Sequence, residues 1–343
     1  MKYTKEIVST LIIILITFLL AAILIIVAKY DPGIALRSFF YGIFGSLHGF
    51  AEIMVRATPL ILAGLGVSVA FSTGFFNIGA EGQLYMGAIA ITFVGVFLPP
   101  MPPMLHIAVA ILAGFLLGGI WAVIPGFLKA KYGVSEIITT IMFNYIAINI
   151  VGILVRTVLK NTESALPYSP VMPKSLSFPL LLYPTRLHGG LILALACAVL
   201  IYIIMKKTTI GYELRVVGFN KRAGTCSGIS VYKNIVLASL ISGGLAGLAG
   251  VSEIAGVHHR LLEGISPGYG YIAIIVALMG RNHPVGVIIS AIGLSALQVG
   301  ANSMQRQAGI PTSITSVLMG VIVLLALGKN IMFSGILKKM RIK

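Results

Sequence analysis

Residues 74–83 read Gly74-Phe75-Phe76-Asn77-Ile78-Gly79-Ala80-Glu81-Gly82-Gln83, with apolar runs on both sides. Three glycines within nine residues interrupt a helix, because glycine loses more backbone freedom on ordering than any other residue. The interruption frees backbone N–H and C=O groups beside an amide (Asn77), a carboxylate (Glu81) and a second amide (Gln83). In water such a stretch is an ordinary turn. In hydrocarbon it survives only inside protein or beside a water-filled cavity.

The flanks identify the solvent. Of 343 residues, 58% are hydrophobic and only 10% charged, and the mean hydropathy is +1.02. A soluble domain carries about 25% charged residues, so this chain cannot cover a water-facing surface and a soluble enzyme is excluded. Nine acidic residues stand against 25 Lys+Arg, a formal net charge of +16. The basic residues lie between apolar runs, where they orient a polytopic membrane protein and face anionic lipid headgroups; no nucleic-acid partner is expected. Cys197 and Cys226 are far apart and make no disulfide or metal framework.

A helix needs about 20 apolar residues to cross the hydrocarbon layer. The sequence predicts an all-α integral membrane protein with ten spans, at 7–28, 57–72, 84–100, 104–128, 135–157, 189–205, 234–256, 269–281, 284–304 and 312–328. The first is too long for a signal peptide's apolar core and is read as retained. Residues 35–50 read as an amphipathic helix in the interface. With the N-terminus inside, sixteen of the basic residues fall on the inner side and nine on the outer. That bias sets the orientation, and an even span count returns the C-terminus to the cytoplasm. The whole chain, 1–343, is expected to be one transmembrane domain of two five-span halves. Residues 1–188 carry an external loop at 158–188, and 189–343 carry a cytoplasmic loop at 206–233. Five crossings per half would make the halves inverted repeats, as in many transporters. Gly64-Leu65-Gly66 would then answer Gly243-Gly244-Leu245 and Gly247, and the break before span three would answer Ser266-Pro267-Gly268-Tyr269-Gly270.

Two readings of 74–83 stand side by side: a wall of a substrate pathway, or a cytoplasmic turn with Glu81 capping the following helix. Asn144, inside span five, is either interhelical glue or a substrate contact, since a bare amide in hydrocarbon costs a few kcal/mol. Gln298, Asn302 and Gln305 share one face of span nine. Gly114 and Gly118, and Gly243 and Gly247, are spaced for close helix contact. His258, His259 and Glu263 lack a zinc-type spacing and read as a solvated loop. No nucleotide-binding loop is present, so the chain cannot hydrolyse ATP by itself, and no cofactor or metal is expected. The polar segment 206–233, with a short helix predicted from Lys221 to Ser227, is either a solvated loop or a docking site for a partner that supplies energy.

Phe76-Asn77-Ile78-Gly79-Ala80-Glu81-Gly82-Gln83 resembles the signature of ABC-transporter permeases for simple sugars, nucleosides and branched-chain amino acids. So do Gly211-Tyr212-Glu213-Leu214-Arg215, Gly218-Phe219-Asn220 and Gly228-Ile229-Ser230. Thr58-Pro59-Leu60, Asn144-Tyr145-Ile146-Ala147, Ser242–Gly250 and Ala277-Leu278-Met279-Gly280 extend the resemblance over about residues 50–328. It is most similar to the nucleoside branch, which works with a basic-membrane-protein-type lipoprotein. The resemblance implies a bacterial inner-membrane importer moving a small-molecule substrate by alternating access. Its partners would be a cytoplasmic ATP-binding-cassette ATPase, a second permease subunit (identical or not), an extracytoplasmic substrate-binding lipoprotein and membrane lipid. Asn77, Glu81, Gln83 and Asn144 are the expected pathway residues. Glu213, Arg215, Asn220, Lys221, Arg222 and Gly228 are expected in the ATPase-coupling loop. Where many relatives carry Gly-Gly after the glycine of span eight, this chain has Arg281-Asn282-His283-Pro284. An ion-coupled secondary transporter, and a membrane enzyme acting on lipid-linked sugars, are the rival classes.

Overall fold

The computed structural model describes residues 29–311 continuously, with scattered positions between 19 and 27 and between 313 and 324. The expected spans 7–28 and 312–328 lie outside the continuously described residues. The chain is mainly helical: α1 Pro32–Phe44, α2 Leu47–Ser72, α3 Ala80–Phe97, α4 Pro103–Tyr132, α5 Glu136–Arg156, α6 Gly190–Lys207, α7 Thr209–Phe219, α8 Lys221–Cys226, α9 Val231–Glu253, α10 Tyr269–Met279 and α11 Pro284–Ala308. Among the described residues, seven helices are long and apolar enough to cross a membrane: α2 to α6, α9 with its continuation to His258, and α11. They coincide with seven of the expected spans. The expected span 269–281 is instead the eleven-residue α10, which at 1.5 Å per residue covers about 16 Å, half the hydrocarbon layer. The reading of 35–50 as one interfacial helix is corrected. The chain turns at Gly45 and Ser46, and Leu47 already opens α2, which continues as helix through Pro59.

Contacts divide the chain into two units, residues 54–292 and the two ends, 1–53 with 293–343. In the end unit, Asp31 caps α1 by accepting from Gly33 N (2.6 Å) and Ile34 N (3.2 Å). Pro32 follows at the first helical position, where its missing N–H costs nothing. The buried side chains of this unit include Ala35 and Met304. Gln298 is buried, Asn302 half-buried and Gln305 exposed.

In the larger unit α3 and α9 are mostly buried, whereas α4, α5 and α6 are mostly open. The open faces carry large apolar side chains such as Leu116 and Ile120 on α4 and Leu195, Val199 and Ile203 on α6. In water such patches would drive association; against lipid they are the solvated surface. Between helices in lipid no hydrophobic drive remains, so close contact must come from small residues. The expected glycine pairs meet in this way. A Cβ on Gly118 would lie 2.5 Å from Gly243 O, one on Gly247 2.2 Å from Gly114 O, and one on Gly87 2.0 Å from Gly247 O. Gly247 therefore sits where α9 touches both α3 and α4. The α4–α5 connection is tight: Gly133 takes φ 70° after α4, and Lys129 Nζ pairs with Glu136 Oε2 at 2.7 Å. The turn Arg281-Asn282 places both residues at positive φ (52° and 53°), the region glycine favours. The departure from the Gly-Gly pattern therefore falls where it costs backbone strain.

The expected loop 158–188 is largely ordered, with the short antiparallel strands β1 Leu180–Leu182 and β2 Leu187–His188. It packs on the π-helical turn Ile254–His258 that ends α9: Phe178 N donates to Ala255 O (2.9 Å) and Met172 N to His259 O (2.8 Å). His258 and Glu263 do not form a cluster. His258 pairs with Glu253 at 3.4 Å, and Glu263 with Arg156. His188 is buried, stacks on Phe178 and lies against Gly256. Its Nδ1 accepts from Gly190 N (3.2 Å). Burial first, then the neighbouring His259 and Arg186, pushes its pKa down from 6.5 to about 4. The folded chain thus holds His188 neutral while the unfolded chain protonates it below 6.5. This contribution to stability is complete above pH 6.5 and is lost as pH falls toward 4, amounting to about 3 kcal/mol across that window. Thermal unfolding in detergent is expected to show a drop between pH 7 and 4.5 that is shallower in H188Q. Equal slopes would exclude it.

Candidate functional site

The break between α2 and α3 is held by side chains that meet its freed backbone groups. Gly74, at φ 73°, turns the chain after α2. Phe75 is then fully buried with Ala70 and Ile235 and anchors the segment. Asn77 uses its whole hydrogen-bonding capacity. Its Oδ1 accepts from Gly79 N (2.9 Å) and Gln83 Nε2 (3.0 Å), and its Nδ2 donates to Gln83 Oε1 (2.9 Å) and Ser242 Oγ (2.8 Å). Two amides thus pair reciprocally, with α9 as the third party. An amide has two donors and one two-lone-pair acceptor, so nothing of Asn77 is left unmet.

Glu81 does not cap its own helix; Gly79 begins α3 with no side-chain cap. Its Oε2 accepts from Gly270 N (2.7 Å), in the first turn of α10, and its carboxylate also takes the Ser266 hydroxyl. Ser266 Oγ in turn accepts from Gly268 N (3.1 Å) and Tyr269 N (3.0 Å). A carboxylate at the positive end of α10 is favourably placed. Gly270 permits the approach, since a Cβ there would lie 2.1 Å from Glu81 N. Asn144, from α5, completes the knot. Its Oδ1 accepts from Gly82 N (2.8 Å), and its Nδ2 donates to Ile78 O (3.0 Å), with a longer contact to the Tyr271 hydroxyl (3.4 Å).

The four residues singled out from the sequence are therefore neighbours, each 3% exposed or less. They tie α3, α5, α9 and α10 to one point. Three partners, Ser242, Ser266 and Tyr271, were not singled out. Ser242 and Ser266 stand in the quoted stretches Ser242–Gly250 and Ser266–Gly270 but are not among the selected site residues, and Tyr271 lies just beyond the second stretch.

The coupling-loop residues divide. The expected helix near 221–227 is α8, with Asn220 capping it through Oδ1 to Arg222 N (3.0 Å) and Ala223 N (3.2 Å). A second helix, α7, fills residues 209–219, which the sequence reading left without structure. Leu214 and Val217 bury one side of α7. Glu213 accepts from Asn234 Nδ2 of α9 (3.0 Å), and Arg215 has a guanidinium nitrogen buried. Lys221 and Arg222 are exposed, as is Gly228 at φ 77°. Phe219, not selected from the sequence, is 90% exposed at the α7–α8 corner.

A multi-span helical fold with a buried polar break is the architecture of a membrane transport component. Residues 49–327 match the family described as branched-chain amino acid transport system / permease component, and the chain belongs to it. It is 38% identical over 332 residues to the guanosine ABC transporter permease protein NupP of Bacillus subtilis, covering 94% of this chain and 93% of that one. It is 32% identical to the nucleoside ABC transporter permease protein NupB of Lactococcus lactis (93% and 90% covered). The glucose ABC transporter permease protein TsgB13 of Haloferax volcanii is 34% identical (88% and 81% covered). No solved structure matches. The chain is a multi-pass permease of an ATP-binding-cassette transporter, a transport component rather than an enzyme. This assignment gives no support to an ion-coupled secondary transporter.

Proposed function

We propose that this permease imports nucleosides across a bacterial inner membrane by alternating access, powered by a cytoplasmic ATPase that docks on α7 and α8. The observation that carries the cargo is the similarity, over more than nine tenths of the chain, to two permeases named for guanosine and for nucleosides. The glucose-named relative makes simple sugars the second cargo class. In this reading a second permease subunit completes the pathway and an extracytoplasmic lipoprotein delivers substrate. Both termini lie in the cytoplasm. The basic ends of α4 (Lys129, Lys131) and α6 (Lys206, Lys207) support that orientation. Ten membrane segments in two inverted halves, 1–188 and 189–343, with α10 covering only about half the layer, are supported by the meeting of the two breaks, where the start of α3 bonds the start of α10.

Asn77, Glu81, Gln83 and Asn144 belong to the pathway as the clamp that holds its broken segment against α5, α9 and α10. Their saturation by protein partners supports this role in the present conformation. At the other end, exposed Phe219, Lys221 and Arg222 form the surface for the ATPase. α7 transmits its movement inward through buried Leu214 and Val217 and the Glu213–Asn234 bond. Charge reversal in K221E/R222E is expected to lower ATP-driven uptake at least tenfold while leaving the amount of chain in the membrane unchanged; normal uptake would remove the docking assignment. Cargo is tested by uptake of labelled guanosine into proteoliposomes holding the assembled transporter. Excess uridine should compete. Competition by glucose alone would replace nucleosides with sugars.

A further inference from the structure

The clamp is buried, so it is not the surface that a solute touches in this conformation. The polar surface open within the membrane lies elsewhere on α5. Tyr145, Asn149 and Arg156 are all exposed, and their spacing of four and seven puts them on one helix face. This is the face opposite the buried Thr140, Asn144, Ala147 and Val151. Arg156 ends the helix. Asn149 then lies about 10 Å deeper and Tyr145 about 16 Å deeper, close to the middle of the bilayer. Tyr271 of α10, 39% exposed, lies near Tyr145. Above them Arg156 and Glu263 form a two-pronged ion pair. The pair lies flat on α5 because residue 152 is glycine, whose Cβ would meet Glu263 Oε1 at 2.9 Å. A concavity of about 390 Å³, within the range of small-molecule sites, is lined by Asn149, Gly152, Arg156 and Glu263 together with Ile148 and Ile153.

Hydrocarbon does not suit Asn149. Ile138, Met142 and Ile153 are also exposed on this side of α5, and the Arg156–Glu263 pair sits at the helix end, so the polar signal within the span is Asn149. An exposed amide about 10 Å inside a span costs a few kcal/mol in hydrocarbon, and polar groups inside spans mark bundle interiors and solute pathways. The contrast with α6 is direct, where Leu195, Val199 and Ile203 are exposed and apolar. Asn149 Nδ2 donates to Tyr145 O (2.8 Å), while its Oδ1 has no partner among the described residues. The ion pair carries no net charge but offers donors and acceptors side by side, which suits a neutral solute rich in hydroxyl and ring-nitrogen groups.

We infer that the Tyr145–Asn149–Arg156 face of α5, with Glu263 and Tyr271, is the wetted wall along which the cargo moves, and that Asn149 and the Arg156–Glu263 pair contact a neutral nucleoside there. The nucleoside identity rests on the proposed function; the wetted face does not. The test uses the complete transporter in proteoliposomes, with C226S removing the exposed native thiol. N149C should react with a charged, water-soluble methanethiosulfonate at least tenfold faster than V199C on the lipid-like face of α6. Millimolar guanosine should slow that reaction several-fold. An N149C rate as low as that of V199C would overturn the inference, since the face would then be covered by lipid or by a second subunit. Fast labelling unaffected by guanosine would leave the wetted wall and remove the contact. Failure of the unsubstituted transporter to take up any nucleoside would instead sink the cargo reading.

Discussion

Replacing Gly247 with leucine is expected to abolish accumulation of the folded permease, and G247A is expected to cost about 3 kcal/mol or more. A Cβ at this position would stand 2.2 Å from Gly114 O, and Gly247 itself presses on Gly87, where a Cβ would meet its carbonyl oxygen at 2.0 Å. The obstructing atoms are backbone on two different helices, so no side-chain rotation relieves them. Either α4 or α3 must move. Overpacking in a well-filled core costs 1–3 kcal/mol, and more where backbone blocks relaxation. In lipid the loss is doubled in kind, because separated helices give up dispersion contacts that no hydrophobic effect replaces. Gly293 supplies the control, since a Cβ there meets nothing within 4 Å; G293A should be as stable as the parent or slightly more so. Thermal unfolding in detergent, with yield from membranes, reads the difference. A G247A protein that melts with the parent would show that the three-helix crossing does not limit stability.

E81A should be the second severe lesion, and for a different reason. It fills no space and blocks no helix, but it strips the Gly270 N–H and the Ser266 hydroxyl of their shared acceptor in a buried setting. Each donor left unmet costs about 1–3 kcal/mol, so about 2–6 kcal/mol is expected for the two. Uptake should fall at least tenfold, because α3 loses the carboxylate that holds the start of α10 at the break. E81Q keeps an oxygen for Gly270 N and should retain more of both stability and uptake. If E81A and E81Q were equally harmful, the negative charge at the start of α10 would be the important quantity rather than the hydrogen bonds.

The two lesions differ in how far they were legible beforehand. Gly243 and Gly247, like Gly114 and Gly118, stand four apart in apolar runs, a spacing that announces close contact whatever the partner. The break at 74–83 was equally plain, because glycines and amides are conspicuous between spans. What Glu81 does was not legible. Capping its own helix was one of the two readings of it, and the partner that takes the carboxylate instead is Gly270, 189 residues away. Asn144 showed the same limit: an amide inside a span must bond to something, but the helix period does not say that the something is Gly82. On α5 the difficulty was sharper still. Asn144 and Asn149 are both amides in one span, yet one is buried in the knot and the other opens on the concavity beside Arg156. The α7 helix was missed because glycines and charges (Gly211, Glu213, Arg215 and Gly218) interrupt its short apolar pattern, and its burial depends on neighbours distant in sequence, such as α9.

The amino-acid sequence alone determined that the chain lives in lipid, where most of it crosses, where a helix must break and which small residues let helices touch. Those properties follow from composition and local period, which need no knowledge of distant neighbours. Only the tertiary structure decided which polar groups are spent on one another and which remain open. In hydrocarbon every amide and carboxylate must find a partner or water, and the choice between them depends on what packing brings within 3 Å.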